Sequence, residues 1–162
     1  MSGAAHRIGL ISDTHGLLRP GVHQALAGVE LILHAGDVGG DEILDELAGI
    51  APVEAVYGNT DAPWNPRLAA EVVREIDGIS IHVSHGHEVG SPTAERLAGR
   101  YRQQILVYGH THRPRIDRVE GRLVINPGAA GPRRFDIQPT VALLTLKGGK
   151  ADITIVKLET DR

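Results

Sequence analysis

The chain of 162 residues is 41% hydrophobic and 23% charged, a balance that excludes disordered, collagen-like and low-complexity classes and predicts one domain, residues 1–162. It has no cysteine, so disulfides, zinc fingers and iron–sulfur clusters are excluded and any metal must be held by nitrogen and oxygen. The net charge of −3 gives no field to concentrate nucleic acid, no apolar run reaches the roughly 18 residues of a membrane span, and the first residues lack a signal-peptide core, so a cytoplasmic home is expected, with nucleic acid disfavoured and a membrane excluded as partners.

In chain order, Ile8–Ile11 is a short apolar run ending in Ser12-Asp13-Thr14-His15-Gly16. Leu31–Leu33 repeats that design before His34-Ala35-Gly36-Asp37, and both predict buried strands feeding polar loops. Between them Val22, Leu26 and Val29 keep helical spacing after Pro20, as do Ile43, Leu44, Leu47 and Ile50 after Asp41, which is placed to cap the second helix. This alternation predicts a parallel sheet built from βαβ units. A third strand, Val53–Val56, ends in Tyr57-Gly58-Asn59-Thr60-Asp61, and the loop Ala62-Pro63-Trp64-Asn65-Pro66 after it is the best lid candidate, with Trp64 placed either to cover a substrate ring or, as the commoner use, to anchor the loop as an apolar plug.

Glu71–Ile76 and Ile79–Val83 flank Asp77-Gly78, a strong hairpin signal, and the second arm runs into Ser84-His85-Gly86-His87. Thr93 to Tyr101, after Ser91-Pro92, reads as a helix. Ile105–Val107 reads as a strand that ends at Gly109-His110-Thr111-His112. Two hairpins follow, Arg115–Val119 with Arg122–Ile125 and Val141–Leu146 with Ile153–Leu158, whose exposed edges could pair subunits into a homo-oligomer.

Five apolar runs thus end in clusters containing Asp, His or Asn, and open α/β sheets bind ligands just outside the carboxyl ends of their strands. If the strands are neighbours, Asp13, His15, Asp37, Asn59, His85, His110 and His112 supply seven nitrogen and oxygen groups to one crevice. Seven is too many for one zinc and divides naturally between two ions that keep water positions, which predicts a two-metal site. Two divalent cations against two carboxylates leave +2, a charge suited to hydroxide and a phosphoryl group, so phosphate ester hydrolysis is the expected chemistry. No nucleophile elbow, P-loop or complete dinucleotide fingerprint competes. His34 reads as a group that supports the site's ligands from behind or packs the core, and His6, His23 and His82 as unrelated to the site. Arg113, Arg133 and Arg134 could each clamp phosphate, Arg133 being the one singled out.

Asp13-x-His15, Gly36-Asp37, Gly58-Asn59-x-Asp61, His85-Gly86-His87 and Gly109-His110-Thr111-His112 together resemble the calcineurin-like metallophosphoesterases, and more narrowly their small bacterial and archaeal phosphodiesterases. The resemblance runs from Ile8 through Asn126-Pro127-Gly128 and Pro132-Arg133. It implies an α/β fold, a four-layer α/β/β/α sandwich with two mixed sheets. It also implies that Asp13, His15, Asp37 and His112 hold one metal, and Asn59, His85, His110 and the bridging Asp37 the other. The expected reaction is metal-dependent phosphodiester hydrolysis of a small phosphate ester by a bridging hydroxide, with Asn59 stabilising the developing charge. Manganese is the first choice, and Ni²⁺, Fe²⁺ and Zn²⁺ suit the same ligands. His87 either donates to phosphate or hydrogen-bonds a neighbouring loop.

One position departs from the pattern. Many members carry a histidine where this chain has Thr60, whose hydroxyl is too weak an acid to protonate a leaving group, and Asp61 is then expected to lack its usual partner. A phosphomonoesterase or nucleotide hydrolase on the same centre, and a non-catalytic scaffold like the retromer subunit of this fold, are the alternatives; intact ligands argue against the scaffold.

Overall fold

The computed structural model describes residues 4–133 and 136–158. The first half runs β1 (His6–Ile11), α1 (Gly21–Ala25), β2 (Leu31–His34), α2 (Asp41–Ala48), β3 (Val53–Val56) and β4 (Leu68–Ala69). The second continues with β5 (Val72–Ile76), β6 (Ile79–Val83), α3 (Ala94–Arg100), β7 (Ile105–Val107), β8 (Arg115–Val119) and β9 (Arg122–Asn126), then β10 (Thr140–Lys147) and β11 (Lys150–Lys157).

Two mixed sheets form. In the first, ordered β11-β10-β1-β2-β3-β4, the strands from β1 to β4 are parallel and the last hairpin joins antiparallel along β1, with Ile8 opposite Leu144. The second, β5-β6-β7-β9-β8, has three parallel central strands and an antiparallel strand at each edge. The two-residue period of a strand splits its side chains between layers. Ile8, Leu10 and Leu33 face Ile81, Val83, Val107 and Ile125 across the inner core. From the opposite face, Ile11 and Ile32 meet Val22, Leu44 and Leu47 of the first two helices and Leu26 just past the end of α1, while Leu106 and Val124 meet Leu97 and Ala98 of α3. The result is the expected α/β/β/α sandwich.

The two short hairpin turns of the second sheet and the one of the first carry paired positive φ angles: Asp77-Gly78, Glu120-Gly121 and Gly148-Gly149. Both central residues positive is the two-residue geometry that matches strand twist. Gly149 N–H donates to Asp77 Oδ2 at 3.1 Å, tying the sheets together at the end away from the carboxyl termini of the parallel strands.

Some local expectations are corrected. The N-cap of α2 is Gly40 rather than Asp41, which lies in the first turn, where its charge suits the helix dipole and Oδ1 accepts from Asn65 Nδ2 at 2.9 Å. Trp64 is 83% exposed and anchors nothing. Asn65 holds that loop instead, because its backbone bonds Ala62 and Leu68 while its side chain reaches Asp41 and the Arg67 amide. The helices are also shorter than the apolar spacing suggested, and Val29 and Ile50 fall beyond their ends. Strand β4 has two residues and leaves no periodic signature.

Candidate metal centre

The parallel strands of both sheets deliver their carboxyl ends to one edge of the sandwich, and β1, β2, β3, β6 and β7 are each followed within a few residues by a member of the predicted set. Eight described non-glycine residues have positive φ, and five of them are Asp13, His15, Asp37, His110 and His112. Such conformations persist only where surroundings over-determine them, and their concentration here marks backbone shaped to aim side chains at a common point. Two glycines make that approach possible: a Cβ at Gly58 would overlap Asp37 Oδ1, and one at Gly109 would overlap Ser12 Oγ.

Asp13 is fully buried; its Oδ2 accepts from Ser12 Oγ at 2.7 Å and from the His110 amide at 3.1 Å. Its Oδ1 has no hydrogen-bond partner, and His112 Nε2 lies 3.4 Å, His15 Nε2 3.7 Å and His85 Nε2 3.9 Å away. Asp37 divides its oxygens similarly. Oδ1 accepts from the Thr60 amide at 3.0 Å and from Thr60 Oγ1 at 2.8 Å, while Oδ2 faces His85 Nε2 at 3.2 Å and His15 Nε2 at 3.6 Å. Asn59 Oδ1 lies 3.1 Å from both His85 Nε2 and His110 Nδ1.

Hydrogen bonding decides which histidines can ligate. His85 Nδ1 must donate to the Ala35 carbonyl, 2.7 Å away, so in the neutral ring the Nε2 lone pair is the one turned toward the carboxylates. His34 is fully buried, accepts from the Gly36 amide at Nδ1, and therefore donates from Nε2 to Thr14 Oγ1, which passes its own proton to the Val38 carbonyl. Burial pushes the His34 pKa down to about 4, and the buried ring, with both nitrogens engaged, braces the Thr14 and Gly36 segments that carry Asp13 and Asp37. His6, His23 and His82 pair with Glu30, Glu46 and Glu71 respectively.

Burial would raise the pKa of Asp13, but the nearby imidazoles of His112, His15 and His85 hold it far below the carboxylate range. Burial also opposes ionisation of Asp37, yet the His85 contact and the two Thr60 donors bring it to about 2. His85 is pushed up, against the effect of burial, by Asp37 and Asp13, whereas burial and the neighbouring His85 push His110 down. The cluster thus holds two ionised, buried carboxylates.

A divalent cation fits this donor set. Asp13 with His15 and His112, and Asp13 with Asp37 and His85, each bring ligating atoms within 4.8 Å of one another. Among the described residues Asp13 Oδ1 and His15 Nε2 are buried without hydrogen-bond partners, and unpaired buried groups of that kind are costly unless a cation binds them. Oxygen with imidazole nitrogen suits Mn²⁺, Fe²⁺, Ni²⁺ or Zn²⁺.

The structure therefore gathers all seven predicted ligands. His87 stands beside them, its ring 5.3 Å from that of His85 and 6.3 Å from that of His110, and it makes no side-chain hydrogen bond among the described residues. Arg133 is exposed, and Nη2 donates to the Asp136 carbonyl at 3.4 Å, with no contact to the cluster. Arg134 lies outside the described residues. Asp61 does not lack partners: it accepts from the amides of Val38 at 3.0 Å, Gly39 at 3.1 Å and Gly58 at 2.9 Å. Sequence reasoning missed Asn126, whose Nδ2 donates to the Gly109 carbonyl and Thr111 Oγ1 and so supports the loop carrying His110 and His112. Its signal was a lone polar residue at the end of the apolar run Leu123–Ile125.

Residues 7–149 match the Calcineurin-like phosphoesterase superfamily domain. A probable metallophosphoesterase of Methanothermobacter thermautotrophicus is 36% identical, over 93% of this chain and 91% of its own length. The phosphodiesterase MJ0936 of Methanocaldococcus jannaschii is 31% identical, over 85% and 92%. Among solved structures, wild-type Vps29 of Entamoeba histolytica complexed with Zn²⁺ superposes with a TM-score of 0.74 at 25% identity, covering 94% of this chain and 99% of that one.

Proposed function

We propose, since this chain belongs to the calcineurin-like phosphoesterase superfamily, that it is a phosphodiesterase acting on small phosphate esters through two divalent ions. Membership makes it a metal-dependent phosphoesterase by family; the diester preference, the ion count and manganese as the metal are our reading. Asp13, His15, Asp37 and His112 would hold one ion, and Asn59, His85, His110 and Asp37 the other. The observation that carries this assignment is Asp37 Oδ2, which lies between His15 Nε2 and His85 Nε2, one from each ligand group.

The two ions would supply Lewis acidity toward the phosphoryl oxygens and lower the pKa of water at the site. Asn59, with its carboxamide oxygen turned to the histidines, presents its amide nitrogen as a donor for charge that develops on the phosphoryl group. His87, its side chain without a hydrogen bond among the described residues and beside His85 and His110, is placed to give a proton to the departing oxygen or to phosphate. Thr60 is excluded from that role because its hydroxyl already donates to Asp37. Arg133 is proposed as a substrate contact brought in by the phosphate itself.

The diester reading is supported by the curated phosphodiesterase relative. A protein-binding scaffold is the second reading, favoured by the likeness to Vps29. The experiment strips the metal, restores Mn²⁺, and compares bis(4-nitrophenyl) phosphate with 4-nitrophenyl phosphate, with Asp37→Ala as control. The expected result is Mn²⁺-dependent diester hydrolysis that exceeds monoester hydrolysis and falls at least a hundredfold in the variant, whereas Arg133→Ala raises KM. Monoester preference would overturn the diester assignment, and no turnover of either would favour the scaffold.

A further inference from the structure

The Asp37 carboxylate is gripped from one side only. Its Oδ1 receives two donors from a single residue, the Thr60 amide at 3.0 Å and the Thr60 hydroxyl at 2.8 Å. A carboxylate oxygen offers about two lone-pair positions, so both on Oδ1 are occupied and Oδ2 is the oxygen left to meet cations. The hydroxyl must be the donor, because an ionised carboxylate has no proton to give. Gly58 leaves the space that Oδ1 occupies, and Asp61, by accepting from Val38, Gly39 and Gly58, locks the 58–61 turn onto the segment that follows Asp37. The register of Thr60 against Asp37 is therefore fixed by three further hydrogen bonds.

We propose that Thr60 is a positioning residue that holds Asp37 as a single-oxygen bridge, so that Oδ2 alone serves both metal positions. The inference rests on the two-ion reading above. A carboxylate free to turn about its Cβ–Cγ bond could give one oxygen to each ion, which would spread the ions apart and weaken their grip on a shared water. With Oδ1 committed to Thr60, the two positions are drawn to one atom. The four residues Gly58 to Asp61 then have separate tasks: room for the carboxylate, a ligand, orientation of the bridge, and attachment of the turn.

The test compares the wild type with Thr60→Ser and Thr60→Val. Serine keeps the hydroxyl donor; valine keeps the shape and the amide but puts a methyl where the hydroxyl was, which also keeps a substitute water out. Mn²⁺ binding is read by calorimetry, the magnetic coupling of the bound pair by low-temperature EPR, and the fold of the metal-free proteins by circular dichroism melts. Wild type is expected to bind two ions with an exchange-coupled signal, and Thr60→Ser to stay within about threefold of it. Thr60→Val should melt like the wild type without metal, lose about tenfold in affinity for the second ion, and show altered coupling, the size expected for removing a partner of a ligating carboxylate. Should Thr60→Val fail to fold, Thr60→Ala is read in the same way. Affinity and coupling unchanged in the folded variant would overturn the positioning role while leaving the two-ion centre intact. Fewer than two ions in the wild type would overturn both.

Discussion

Asp13 and Asp37 show how a folded chain makes a carboxylate available to metal: each has one oxygen saturated by protein donors and one aimed at imidazoles. His34 shows the opposite use of a histidine. Its two nitrogens are satisfied only as a neutral ring, and its pKa is lowered to about 4 from an ordinary 6.5. Well above pH 6.5 neither the folded nor the unfolded protein protonates it, but as the pH drops through about 6.5 the unfolded chain takes up a proton that the folded one refuses, so stability decreases as the pH is lowered to about 4. The full loss is on the order of 3 kcal/mol. Denaturation of the metal-free protein between pH 7 and pH 4.5 should show this slope, and His34→Gln should flatten it. The raised pKa of His85 works in the opposite sense and is common to both proteins, so their difference isolates His34. An equal slope in the variant would refute the assignment. The seven residues that the structure gathers were legible in the sequence as candidate ligands because each directly ends or closely follows an apolar run. The tasks of Thr60 and Asp61 were not, since both depend on contacts with the 37–39 segment more than 20 residues away.

At the scale of elements, the site is a set of turns held against one another. The 58–61 turn is bound to the segment after β2 through Asp61, whose three accepted amides would be left without partners by Asp61→Ala. We expect that substitution to cost about 2–4 kcal/mol in urea denaturation and to weaken Mn²⁺ binding, with Asp61→Asn, which retains a carbonyl oxygen, losing less. A stability within about 0.5 kcal/mol of wild type would mean that water replaces the carboxylate freely. Strand positions and hairpin turns were legible here because period-two runs and Asp-Gly, Glu-Gly or Gly-Gly pairs carry local physical signals. Helix ends were less so: α1 stops at Ala25 although apolar spacing continues to Val29, because Leu26 and Val29 are buried from a non-helical segment. Trp64 misled for a related reason. Its loop is fixed by Asn65, and nothing in the sequence distinguishes a tryptophan that anchors a loop from one that rides on it.

For the whole molecule, parallel βαβ units and later hairpins followed from local patterning and the four-layer sandwich from the family resemblance, but the order of strands from neither. That β10 lies beside β1, and β9 between β7 and β8, is a pairing across long stretches of chain that no local pattern encodes. The consequence for function is nonetheless simple. Two sheets face each other across an apolar layer, are tied at one end by Asp77 and Gly149, and present the carboxyl ends of their parallel strands at the other. The first sheet contributes Asp13, His15, Asp37 and Asn59, the second His85, His110 and His112, so the proposed metal centre would lie between them and require both. Crystals grown with Mn²⁺ and measured for anomalous scattering test this most directly. The account predicts two peaks about 3.5–4 Å apart on either side of Asp37 Oδ2, one near His15 and His112 and the other near Asn59, His85 and His110. A single peak, or peaks away from Asp37, would contradict it.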